Sequence, residues 1–149
     1  MIRLITIFSA LALAIAACVP VDDTGGGNSG VQTYRIRAGD TGKIQFRMLD
    51  SVNALRSAAG ASQVQLNPNL NAAAATHAKD MSRQNRPWHF GSDGSSPIDR
   101  IRRVGYTGQL VGETISETYE SQLEKLAAGM EQPATRRVLL VPVALNMGC

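Results

Sequence analysis

The stretch Trp88-His89-Phe90-Gly91-Ser92-Asp93-Gly94-Ser95-Ser96-Pro97-Ile98-Asp99-Arg100-Ile101-Arg102-Arg103-Val104-Gly105-Tyr106, followed closely by Gly112-Glu113-Thr114-Ile115, decides how the chain folds. Its first part is rich in Gly, Ser and Asp and carries the chain's one tryptophan, so Trp88 to Ser95 reads as a cargo-bearing loop. Ser96-Pro97-Ile98-Asp99 then supplies an N-cap, a first-turn proline and an acidic third residue. That predicts a short helix through Val104, closed by Gly105. Leu110 to Ile115 predicts a strand, in which alternation places Glu113 on a side shared with two apolar residues, where a carboxylate needs a partner.

Upstream, Asn85-Arg86-Pro87 ends a helix that opens at Asn67-Pro68. Its expected buried stripe is Leu70, Ala74, His77 and Met81, and the alanines from Ala72 to Ala75 permit a close neighbour. The spacing His77-x-x-Asp80 puts a carboxylate near the histidine's face. His77 reads as an inward core histidine, with metal ligation as the alternative. Val64-Gln65-Leu66 is extended, and Ile44, Met48, Val52 and Leu55 mark a first helix that Gly60 stops. Downstream, Tyr119, Leu123, Leu126 and Met130 mark an amphipathic helix ended by Pro133, and Ala144 to Cys149 is strand-like. With neither βαβ regularity nor a glycine-rich phosphate turn, the pattern predicts an α+β fold in which helices cover a small sheet.

A length of 149 residues with 44% hydrophobic and 18% charged content suits one domain, and a net charge of +3 lacks the dense cationic face of a nucleic-acid binder. The two cysteines, Cys18 and Cys149, stand near opposite ends, which excludes a disulfide scaffold and a Cys-rich zinc site. Charge is segregated: residues 79–103 hold six Lys/Arg against three Asp, and residues 112–131 hold five Glu against Lys125. These segments either face one another across a groove or form two solvated faces. Arg100, Arg102 and Arg103 read as a solvated helix face able to guide an anionic envelope component.

Residues 1–18 read as an export signal, with a basic start and an apolar run too short to span a membrane comfortably. Ile15-Ala16-Ala17-Cys18 resembles the lipobox of bacterial lipoproteins, which implies lipidation of Cys18, a plain secretory signal being the alternative. Val19 after the cysteine favours the outer membrane by analogy with enteric sorting; otherwise the protein is secreted or periplasmic. Residues 19–40 are a flexible linker with little to bury, although 31–37 alternate loosely enough for an edge strand.

Four blocks in order carry a family likeness. Leu49-Asp50-Ser51-Val52-Asn53-Ala54-Leu55-Arg56, Leu66-Asn67, Leu70-Asn71-Ala72-Ala73-Ala74 and His77-Ala78-Lys79-Asp80-Met81 resemble the opening of bacterial CAP domains, also called SCP-like extracellular domains. His89-Phe90-Gly91-Ser92-Asp93-Gly94, then Arg100-Ile101 with Gly105-Tyr106, then Gly112-Glu113-Thr114-Ile115, resemble that family's "sH-x-G-x-D-G", "R-I-x-x-x-G-Y" and "G-E-N-I" signatures. The likeness implies a three-layer α-β-α sandwich over residues 41–149 that lacks its last strand and so reads as C-terminally truncated. It also implies a cleft, with His89 and Glu113 at the matching positions, that in some members binds a divalent ion. Gly129 and Thr135 stand where bacterial members usually carry a tryptophan and a second cleft histidine.

No cofactor is fixed by the residues. A divalent metal, zinc or calcium, is the one the resemblance implies, held by His89 and Glu113, with His77 completing a three-ligand set only if the loop folds back onto its helix. For nucleophilic catalysis, Ser92, Ser95 and Ser96 lie near His89 without a strained G-x-S-x-G turn, and Cys149 lacks an adjacent base. The expected function is an envelope-anchored binding or structural module with a partly degraded His/Glu cleft, more a binder than an enzyme. The alternative is a metal-dependent hydrolase of envelope or extracellular substrates. Expected partners are the membrane, through lipidated Cys18, and a lipid or envelope polymer, with no nucleic acid.

Overall fold

The computed structural model describes residues 37–117 and 122–149. The leader, most of the linker, all but Arg37 of the edge strand expected at 31–37, and Tyr119 lie outside the described residues. A 3-10 turn, Ala38–Asp40, leads directly into helix α1, Thr41–Ala58. Met48, Val52 and Arg56 recur every four residues on the buried face of α1. The helix ends in a Schellman motif: Gly60 takes φ +72°, Ala61 N–H donates to Arg56 O, and Gly60 N–H donates to Ser57 O.

The chain then extends through β1, Gln65–Leu66. The Asn53 amide pairs with both backbone groups of Val64, accepting from its N–H at 2.8 Å and donating to its carbonyl at 3.0 Å. Asn67 caps helix α2, Pro68–Gln84, through Oδ1, which accepts from Asn69 N–H and Leu70 N–H, and Asn85 closes the helix in the left-handed region. Ala73 and His77 are the buried residues of α2, whereas Leu70, Ala74 and Met81 are only half-buried, so the apolar stripe is narrower than its spacing predicts. Helix α3, Pro97–Arg103, carries the expected capping box between Ser96 and Asp99.

Leu110 to Ile115 is not a strand. Its backbone has no strand neighbour among the described residues, and side chains hold it instead. Gly112 lies so close to Val138 that an added Cβ would fall 2.7 Å from its methyls. Helix α4, Gln122–Glu131, is followed almost at once by α5, Pro133–Leu140, which the sequence reading did not anticipate. Pro133 does not simply stop α4; it opens α5, where its missing N–H costs nothing.

Strand β2, Asn146–Met147, pairs in parallel with β1, Gln65 opposite Asn146 and Leu66 opposite Met147. Met48, Val52, Val64 and Leu126 form the core against which Leu55, Leu139 and Met147 pack, seating α1, α4 and α5 on the strand pair. The residues after β2 meet α2, since a Cβ on Gly148 would overlap the Leu70 backbone and Cys149 N–H donates to Asn71 Oδ1. Helix α3 packs on α2. The result is an α+β fold in which α1, α4 and α5 pack on one small sheet and α2, carrying α3, meets the residues that follow β2. No helix among the described residues is long and apolar enough to cross a membrane.

Arg56, 1% exposed, joins the ends of two helices. Its guanidinium donates to the carbonyls of Ser62, Leu139, Val141 and Ala144 at 2.7, 2.9, 3.0 and 3.4 Å. A buried charge is tolerated where its donors are satisfied, and here carbonyl dipoles in and just after the last turn of α5, with that of Ser62, supply the negative partner.

Candidate functional site

The capping box fixes the start of α3, and the fourth residue of that helix is Arg100, buried despite its charge. Its Nη1 donates to His89 O at 2.8 Å and to Ser95 O at 3.2 Å. Its Nη2 donates to both carboxylate oxygens of Glu113, at 2.8 and 2.7 Å. One guanidinium therefore holds the 88–95 loop and the 110–115 segment together. Glu113 Oε1 also receives His89 Nδ1 at 2.9 Å. An oxygen that only accepts fixes the proton on Nδ1, which leaves Nε2 as the outward-facing ring atom, without a hydrogen-bond partner among the described residues.

The structure thus brings His89 and Glu113 together, with Arg100 as the third member. Arg100 is not part of a solvated face as expected from the sequence; only Arg102 and Arg103 of that trio are exposed. Arg100 turns inward beside Ile101 because three acceptors lie there, and an unpaired guanidinium could not be buried. Its link to Glu113 is the point where the basic and acidic segments meet. The His89 side chain is 49% exposed and that of Glu113 is 24% exposed. Glu113 lines a central cavity of about 400 Å³ that also reaches Met48, Ala73, His77 and Lys125. His89 lines neither this cavity nor the neighbouring one of about 260 Å³. The imidazole is therefore presented at the surface.

The loop that carries His89 is tied down by two carboxylates. Asp80, projecting from α2, accepts from Ser92 N–H and Ser92 Oγ, both at 2.7 Å. These bonds hold its carboxyl below the ordinary 3.8. Asp93 accepts from Ser95 N–H and from Arg103, and the Ser95 hydrogen bonds followed by the Arg103 guanidinium push it well below the usual carboxylate range. Gly91 is required at this bend, because a Cβ would lie 2.6 Å from Asp93 Oδ1 and Ser95 Oγ. Ser92 Oγ is committed to Asp80 and Ser95 is buried, so neither serine is arranged as a nucleophile for His89.

His77 sits apart from the pair, buried, with Nε2 donating to Trp88 O at 2.9 Å. Its Nδ1 and the Trp88 Nε1 are buried without hydrogen-bond partners among the described residues. The guanidinium carbon of Arg86 lies 3.4 Å from the centre of the Trp88 ring, and Phe90 meets that ring edge-on at 5.6 Å. At the far end of the chain, burial pushes the Cys149 thiol up and the Lys125 ammonium down.

A divalent ion does not fit these residues. Among the described residues no group of three or more His, Cys, Asp or Glu side chains gathers to hold one, and His77 does not join His89 and Glu113. Both Glu113 oxygens are engaged by Arg100. At 4 Å and an effective dielectric of 20 a unit pair interacts by roughly 4 kcal/mol, so a dication beside that guanidinium would meet repulsion about twice as large.

Arg100 and Asp80 are the site residues that the sequence reading missed. Arg100 stands inside the "R-I-x-x-x-G-Y" block, and its neighbour Ile101 marks the inward side of α3. Asp80 lies three residues after an inward histidine, at the spacing that shares a helix face.

The family model described as CAP, the cysteine-rich secretory protein family, matches residues 49–149. A search of curated protein sequences returns no significant match. Among solved structures, an extracellular protein containing an SCP domain from Bacillus anthracis str. Ames is similar with a TM-score of 0.70 and 20% identity, over 76% of this chain and 40% of that one. An outer surface protein from Borrelia burgdorferi is similar with a TM-score of 0.66 and 17% identity, over 76% of this chain and 81% of that one. The chain spans less than half the length of the first of these, and at such identities the likeness concerns the fold. Because the family model covers well over half of its residues, this chain belongs to the cysteine-rich secretory protein (CAP) family.

Proposed function

We propose that this protein is an extracytoplasmic binding module, anchored to the envelope through lipidated Cys18, that engages a hydroxyl-rich envelope polymer with the surface around His89. The observation that carries this reading is the carboxylate-oriented imidazole. With Nδ1 donating to Glu113, the Nδ1–H tautomer of His89 offers Nε2 as an acceptor to a hydroxyl donor from outside. Phe90, 47% exposed next to it, supplies an apolar face for a sugar ring, and the open setting suits a polymer lying across the surface. The Ile15-Ala16-Ala17-Cys18 sequence supports the anchor, and the extracellular and outer-surface settings of the two structural neighbours support the location. The metal-dependent hydrolase alternative has no donor set among the described residues.

Co-sedimentation of the full-length Cys18→Ser chain with isolated, protein-free wall polymer tests the binding. Binding reduced about tenfold in the additional His89→Ala variant is the expected result, in line with the loss of one hydrogen bond to a charge-supported group. Sedimentation with lipid vesicles instead, or no change on His89→Ala, would refute it. Fractionation of cells making the wild-type chain, found in membranes, and the Cys18→Ser chain, found soluble, tests the anchor.

A further inference from the structure

We infer that Arg100 is the built-in cation of this site, occupying from within the chain the electrostatic role that a divalent ion would otherwise fill, so that the native site excludes zinc and calcium. The inference stands on geometry and is independent of which ligand the surface engages. A carboxylate and an imidazole in contact are two of the three or four donors that a zinc site needs. Here the carboxylate is already neutralised, since Arg100 Nη2 lies 2.8 and 2.7 Å from its two oxygens. The imidazole's Nδ1 is spent on the same carboxylate. The guanidinium cannot swing aside, because its Nη1 is fixed to the carbonyls of His89 and Ser95 and the residue is 8% exposed. The arrangement is self-contained: the guanidinium orients the carboxylate, and the carboxylate orients the imidazole.

The test is titration of the full chain in detergent with zinc chloride and, separately, calcium chloride. Binding heat is followed by calorimetry and the His89 ring by its imidazole ¹⁵N resonances. The wild-type chain is expected to show no saturable shift of the His89 resonances, and an Nδ1–H tautomer before and after addition. Arg100→Gln removes the cation and frees the carboxylate. Its His89 resonances are expected to respond at a zinc concentration at least about tenfold lower than any wild-type response, and that response is expected to vanish in Arg100→Gln with His89→Ala. A saturable wild-type response at His89, or a folded Arg100→Gln chain that responds no more strongly than wild type, overturns the inference. If circular dichroism shows that Arg100→Gln does not fold, the wild-type titration decides alone. Wall-polymer binding is read in a separate assay, so failure there leaves this result untouched.

Discussion

Truncating Arg100 strands three acceptors at once: the carbonyls of His89 and Ser95 and the Glu113 carboxylate. Breaking a buried pair costs about 3–5 kcal/mol, and because Glu113 is partly hydrated the expected loss for Arg100→Ala is nearer 2–3 kcal/mol, measured by urea unfolding. Arg100→Lys recovers little of it, since an ammonium cannot reproduce the planar donors. A second expectation concerns acid. The Asp80 and Asp93 carboxyls are depressed in the folded chain, so their contribution is complete above the unfolded value near pH 4 and is lost as pH falls through the folded values. The protection of the Ser92 and Ser95 amides, read as exchange relative to the intrinsic rate at each pH, is therefore expected to fall below about pH 4, with Asp80→Asn abolishing the acid dependence at Ser92. Sequence made part of this readable. Glu113 and His89 were both marked by their motifs, whereas the alternation argument for Glu113 fails because 110–115 is not a strand, and its partners come from Arg100 and His89 instead. Arg100 was hidden among three arginines in four residues of a seven-residue helix, too short for periodicity to say which one turns inward.

At the scale of elements, the termini were legible because caps are local chemistry. Asn67 illustrates this: its side chain satisfies two free amides of α2, and Asn67→Ala is expected to cost about 1 kcal/mol in thermal unfolding. Asn53 is a longer-range version of the same device. Replacing it by Ala leaves both polar groups of the Val64 backbone unmatched and is expected to cost about 2 kcal/mol, read by chemical denaturation. The failures have physical causes as well. Alternation at Leu110 to Ile115 looks like a strand, but a strand exists only where a partner backbone runs alongside, and that is a tertiary fact. Pro133 gave a correct boundary with the wrong meaning, because the same residue that cannot continue one helix is well suited to begin the next.

For the whole molecule, Arg56 ties the end of α1 to the chain leaving α5, across 83 to 88 residues of sequence. Nothing in the helical spacing of α1 announces that its last buried position is charged. Arg56→Ala is expected to lose about 4 kcal/mol or more, since three close carbonyls are left dry at about 1–3 kcal/mol each. That is a large part of the 5–15 kcal/mol of a typical domain. The checkable outcome is loss of a single cooperative calorimetric transition, with Arg56→Lys failing to restore it.

The stacking of Arg86 on Trp88 has an optical consequence. The chain holds one indole, touched by a guanidinium on its face and a phenyl ring edge-on, and the carbonyl of the same residue is gripped by His77. Its ultraviolet emission therefore comes from a single address immediately beside the proposed contact surface. Any occupant that nudges the loop will recolour or dim that light, so the molecule reports its own engagement without a label.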